Sequence, residues 1–211
     1  MIERYTLPEM GELWTDNTKL KTWLQVEIAV CEAQAELGYI PALAVAEIKA
    51  KANFDLKRVL EIEAEVRHDM IAFLTNVNEY VGDVGRYIHL GLTSSDVLDT
   101  ALALQMVGSL DLLLSCVEEL EQAIRYQAQQ HRETFMVGRS HGIHAEPMTF
   151  GFKLAGWLAE VCRHHQRLVQ LRQNISVGKI SGAVGTYANI DPRVEAIDFQ
   201  KLEIEPDTAY N

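Results

Sequence analysis

The strongest constraint on the fold is a proline-free run from Val97 to about Gln130, interrupted by one glycine, Gly108. Its apolar residues recur at helical spacing. Yet Leu98, Leu102, Leu104, Val107, Leu110, Leu113, Leu114 and Val117 cover most of the circumference instead of one stripe. About 34 residues at 1.5 Å each make a rod of roughly 50 Å. A helix apolar on all sides needs neighbours on all sides, as in a large bundle. Thr93-Ser94-Ser95-Asp96 precedes the run, and each of these residues can cap a helix N-terminus. A second long helix is expected from about Met148 to Val177, with Pro147 at its first turn. Two such helices cannot close a core by themselves. The missing neighbours are expected from other subunits or from sequence outside this chain.

The remaining pattern is also helical. Apolar spacing predicts a helix from Thr15 to Leu37, capped by Thr15 or Asp16 and stopped by Gly38 and Pro41. Further helices are expected over Ala42 to Lys51, Leu56 to Val66 (with Asp55 as N-cap), Asp69 to Val81, and Val194 to Leu202. Residues 82–92 read as a turn, a short helical piece and a loop, residues 178–193 as a loop, and Thr134 to Pro147 as a polar, irregular stretch. Strand signals are almost absent and no repeat is found. The fold class is therefore all-α. A small N-terminal helical domain over residues 1–92 is followed, over 93–211, by the first long helices of an elongated bundle.

Composition narrows the function classes. With 48% hydrophobic and 23% charged residues the chain is an ordinary globular one, not a disordered one. Asp99 and Asp111 interrupt the most apolar run, so no membrane span is expected. The acid-containing start MIERYTLPEM does not read as a secretory signal. The net charge of −11 argues against nucleic acid and anionic membranes as partners. Residues 125–193 differ: nine Lys and Arg against four acids give a local +5 that suits a small anion. Cys31, Cys116 and Cys162 are odd in number and form no CxxC pair. They are expected to be core thiols in a reducing, cytoplasmic setting.

Three segments can carry chemistry. Gly138-Arg139-Ser140-His141-Gly142-Ile143-His144-Ala145-Glu146-Pro147 is the densest polar cluster. It supports either proton transfer to an anionic substrate or nothing more than a solvated interhelix loop. His141 and His144 have metal-pair spacing, but no third ligand follows, so no metal is expected. Arg67-His68-Asp69 joins two helices, where it can serve as caps or as a site. His89 to Asp96 ends at a helix N-terminus, whose free N–H groups and hydroxyls favour a carboxylate or phosphate. Asp96 itself adds negative charge there and is better read as a cap. No GxxxxGK[ST] or GxGxxG sequence is present.

Taken together, TSSD before a long helix, GRSHGIHAEP between two long helices and GKISGAVGTYANIDP after the second resemble the adenylosuccinate lyase family of the fumarase/aspartase superfamily. MIERYTLPEMGELWTD and EVRHDMIAFL resemble it as well, so the similarity runs along essentially the whole chain. The resemblance implies elimination of fumarate from adenylosuccinate to give AMP. It implies the same reaction on the succinyl-aminoimidazole carboxamide ribotide of purine biosynthesis, with no metal or organic cofactor. It implies that His141 is the general acid and that His68, flanked by substrate-binding Arg67 and Asp69, lies beside it. His89 is implied near the nucleotide phosphate, Thr93 and Ser94 at a substrate carboxylate, and Arg4 and Tyr5 at the nucleotide.

One departure stands out. The family's Ser- and Gly-rich signature loop, which carries the serine base in a Met-Pro-x-Lys context, is absent from this sequence. The resemblance therefore implies an N-terminal portion that supplies the acid but not the base and is inactive alone. It also implies a homotetramer with active sites shared between subunits. The alternatives are another lyase of the superfamily, such as an argininosuccinate lyase or a cycloisomerase-type enzyme, and a non-catalytic helical assembly module.

Overall fold

The computed structural model describes residues 2–207. These form eight α-helices: α1 (Pro8–Leu13), α2 (Asp16–Glu36), α3 (Ala42–Lys51), α4 (Leu56–Val66), α5 (Asp69–Val81), α6 (Ser94–Gln130), α7 (Phe150–Ile175) and α8 (Pro192–Leu202). Two 3-10 turns, Glu3–Tyr5 and Gly82–Tyr87, complete the helical part. The short α1 was not expected from the sequence, although Pro8 stands at its first turn. The described residues pack as two compact units, one within 2–108 and 175–207, the other within 109–174.

Caps explain most boundaries. The Thr15 side chain accepts the Thr18 N–H at the start of α2, and Asp55 accepts the Arg58 N–H at the start of α4. Each satisfies a donor that the helix itself cannot. Only Arg67 and His68 separate α4 from α5. Arg67 ends α4 in the left-handed region (φ 57°), and the extended His68 restarts the chain as the N-cap of α5.

In the first unit α2 is the central post. Trp23, Val26, Val30 and Ala33 on it are buried, as are Ile48 on α3, Met70, Phe73 and Val77 on α5, and Val194 and Phe199 on α8. The Trp23 and Phe73 rings meet edge to face at 5.5 Å. Each large apolar side chain so withdrawn contributes roughly 1.5–3 kcal/mol.

The second unit holds the distal part of α6, a hairpin and α7. The stretch expected to be irregular is in fact an antiparallel hairpin of β1 (Phe135–Ser140) and β2 (Ile143–Thr149). Register runs from Phe135 opposite Thr149 to Ser140 opposite Ile143, with an irregularity between Val137 and Arg139. Pro147 accordingly lies in β2, opposite Val137, and not in the first turn of α7. It sits beside the irregularity, where a missing N–H is tolerated. Elsewhere Val177–Gly178 (β3) pairs in parallel with Glu205–Pro206 (β4).

The long helices keep apolar surface uncovered by the described residues. Leu102, Leu113 and Leu120 on α6 and Phe152 and Trp157 on α7 are all exposed. The expectation that acids keep α6 from resembling a membrane span needs correcting. By length and composition alone this helix is long and apolar enough to cross one. Its first turns are nevertheless protein core, since Asp96, Val97, Thr100 and Ala101 are fully buried. The cysteines also differ from expectation: Cys31 is buried, Cys162 half-buried and Cys116 exposed.

Candidate active site

Residues 87–96 form the most constrained segment among the candidates. Three side chains on one face of α2, spaced i, i+4 and i+7, grip it. The Glu27 carboxylate accepts the His89 main-chain N–H at 2.9 Å and lies 2.6 Å from its ring Nδ1. Cys31 Sγ contacts the Tyr87 carbonyl at 3.6 Å, and Gln34 Nε2 donates to the Leu90 carbonyl at 2.8 Å. Burial and the nearby Glu27 and Glu32 carboxylates push the Cys31 thiol up to about 12, so it stays protonated. His89 adopts a left-handed backbone (φ 64°) to meet Glu27. With Nδ1 turned to a carboxylate, Nε2 is the ring nitrogen left for a ligand.

Asp96, the unexpected acid at this helix start, is wholly internal. It accepts the Thr93 N–H at 2.8 Å, while its own N–H donates to the Thr93 main-chain carbonyl and not to the hydroxyl. It also receives Lys179 Nζ at 2.8 Å and the N–H groups of Ser181 and Gly182 at 3.1 and 3.2 Å. Its charge is thus spent on anchoring residues 179–182. That leaves the half-buried Thr93 and Ser94 hydroxyls, with the first-turn N–H groups of Ser94 and Ser95, able to receive an anion.

At the α4–α5 junction, His68 Nδ1 accepts the Ile71 N–H at 3.4 Å and lies 3.5 Å from Asp69 Oδ1. That cap assigns the ring hydrogen of the neutral form to Nε2, on an exposed side chain. Asp69 Oδ1 accepts the Met70 N–H at 2.7 Å, and Arg67 is exposed. Both the capping and the site readings of this tripeptide therefore remain compatible in one geometry.

His141 stands in the second unit, at the tip of the hairpin. His141 (φ 51°) and Gly142 (φ 76°) are the two central residues of the connection and both are left-handed, the pattern of a type I′ turn. The turn holds an exposed imidazole on a rigid support, as proton transfer to a ligand from outside the hairpin requires. Arg4 and Tyr5 lie on the first 3-10 turn, both exposed, with the guanidinium 4.8 Å from the Tyr5 ring centre. Among the described residues no three His, Cys, Asp or Glu side chains converge as a metal site.

The structure thus brings His89, Thr93 and Ser94 onto one anchored segment, places Arg67, His68 and Asp69 on another, and carries His141 on a separate unit. Glu27 and Lys179 were not found by sequence reasoning. The only signal was an acid at position 27, in register with the apolar stripe of Trp23 and Cys31.

The chain is similar to known proteins along nearly its whole length. The profile of a family described as Lyase matches residues 3–210. An adenylosuccinate lyase of Synechocystis sp. is 81% identical over 209 residues, 99% of this chain and 48% of that protein. The adenylosuccinate lyase of Bacillus subtilis is 50% identical over 205 residues, 97% of this chain and 48% of that protein. The crystal structure of a fumarate lyase from Mesorhizobium sp. superposes with a TM-score of 0.89 at 31% identity, covering 95% of this chain and 49% of that one. The chain spans about half the length of the curated relatives it matches.

Proposed function

We propose, because this chain belongs to the lyase family, that the full-length protein eliminates fumarate from adenylosuccinate to give AMP. It performs the same elimination on the succinyl-aminoimidazole carboxamide ribotide of purine biosynthesis. The observation that carries this reading is similarity to adenylosuccinate lyase along nearly the whole chain. The geometry supports it at two points, the anion-receptive start of α6 and the imidazole presented on the hairpin turn.

The reaction breaks a C–N bond. A base supplied outside this chain removes the proton next to a carboxylate of the succinyl group. Charge spreads into that carboxylate, where the Thr93 and Ser94 hydroxyls and the first-turn N–H groups of α6 hydrogen-bond to it. The C–N electron pair passes to the nucleotide nitrogen, which His141 protonates, and fumarate departs. His68 donates through Nε2 beside the acid, with Arg67 and Asp69 binding substrate next to it. His89 meets the phosphate, and Arg4 with Tyr5 holds the nucleotide. No metal or organic cofactor takes part.

In this reading residues 1–92 form the N-terminal domain and 93–211 begin the bundle of a cytoplasmic homotetramer, whose sites are shared between subunits. The uncovered apolar surface of α6 and α7 supports such an assembly. The test is fumarate release from adenylosuccinate and from argininosuccinate by the full-length protein and by His141→Asn. Asn accepts the left-handed backbone of the turn, so the variant should fold normally while turnover falls at least about 100-fold. Preference for argininosuccinate, or near-normal turnover by the variant, refutes the proposal.

A further inference from the structure

We infer that Glu27 is a positioning residue that fixes the ring tautomer and direction of His89 and so tunes affinity for the phosphate of the nucleotide. This rests on the proposed function for what binds at His89. The contacts themselves stand independently of it.

The Glu27 side chain is 1% exposed, and among the described residues no Lys or Arg pairs with it. Burying a carboxylate without a strong cation is costly, and a fold that only needed to hold the loop has cheaper solutions. Gln34 and Cys31, on the same helix face, already hold the neighbouring carbonyls of Leu90 and Tyr87. A neutral amide oxygen would likewise satisfy the His89 N–H. What the amide cannot do is offer a second equivalent oxygen, and here that second oxygen lies 2.6 Å from the ring Nδ1.

The carboxylate therefore acts on the ring as well as on the backbone. It accepts Nδ1–H, which confines the neutral imidazole to one tautomer and leaves Nε2 as the working atom. It also supplies a compensating negative charge when the ring carries a proton toward an anionic ligand. The left-handed backbone at His89 fits the same account, since this conformation brings the N–H and the ring to one carboxylate together.

The experiment compares wild type, Glu27→Gln and Glu27→Asp in the full-length protein. Ring nitrogen resonances of His89 in the wild type should report a hydrogen on Nδ1 and none on Nε2 in the neutral form. The opposite tautomer overturns the inference without any variant being needed. In Glu27→Gln, loss of one strong hydrogen bond should weaken AMP binding about tenfold, with KM for adenylosuccinate rising by a similar factor. Adenosine, which has no phosphate, should bind equally well to both proteins, and kcat should change less than about threefold. In a His89→Ala background Glu27→Gln should cost no further AMP affinity. Equal losses for AMP and adenosine, or a fall in kcat at constant KM, would show a merely structural role and overturn the inference. If the wild type fails to turn over adenylosuccinate, the functional proposal falls, while the tautomer measurement still decides the role of Glu27.

Discussion

Asp198 on α8 should make this protein less stable as the pH rises. Its side chain is fully buried, and neither carboxylate oxygen has a hydrogen-bond partner. Burial foremost, and then the negative charges of Glu195 and Glu27, push its carboxyl from 3.8 to about 8. Well below pH 4 Asp198 is protonated in both the folded and unfolded chain, so it adds no pH dependence. Between pH 4 and 8 the unfolded chain has released the proton and the folded chain still holds it. Stability must then fall by about 1.4 kcal/mol per pH unit, up to about 6 kcal/mol in all. Above about pH 8 the folded protein ionises too, and the loss levels off. Opening of α8 limits the total once it becomes cheaper than burying the charge. Asp198→Asn removes the titration at nearly constant volume. Guanidinium unfolding of both proteins at pH 5, 6, 7 and 8 isolates Asp198 together with its coupling to Glu195 and Glu27, because subtraction cancels the titrating groups that do not interact with it. The variant should gain about 4 kcal/mol relative to wild type across that window. A difference that stays constant within about 0.5 kcal/mol would refute the reasoning.

Two other sites give sharp expectations. Lys179→Met leaves the buried Asp96 carboxylate without its cation, held only by main-chain N–H groups, and should cost about 3–5 kcal/mol in denaturant unfolding. Adding Asp96→Asn should recover part of that loss. Gly91→Ala places a Cβ 2.4 Å from the Asn189 carbonyl at a backbone φ of 79°. It should lower stability by about 2 kcal/mol or more and, by displacing residues 88–92, weaken AMP binding in a direct titration.

What the sequence revealed follows from how local each signal was. The boundaries of α2 and α4 were legible because Thr15 and Asp55 cap within three residues of themselves. The hairpin was not, because Phe135 to Thr149 mixes His, Gly, Glu and Pro without a clean alternation. Only its His141-Gly142 turn hints at it. The candidate residues His141, Thr93 and Ser94 could be picked out because polar groups cluster in sequence there. Arg4 and Tyr5 came from the resemblance alone. Glu27 and Lys179 stayed hidden because their partners lie 62 and 83 residues away. On a helix pattern a buried acid is indistinguishable from a solvated one until the packing is known.

Arg67, His89 and His141 all hold the left-handed backbone that glycine adopts without strain. A search for hardier variants of this protein would be drawn to these three positions first. At each of them the more comfortable chain would lack the side chain that the proposed chemistry requires. On that proposal robustness and activity are opposed at three identified residues of the backbone, and directed evolution toward heat tolerance should be run with activity as a simultaneous filter.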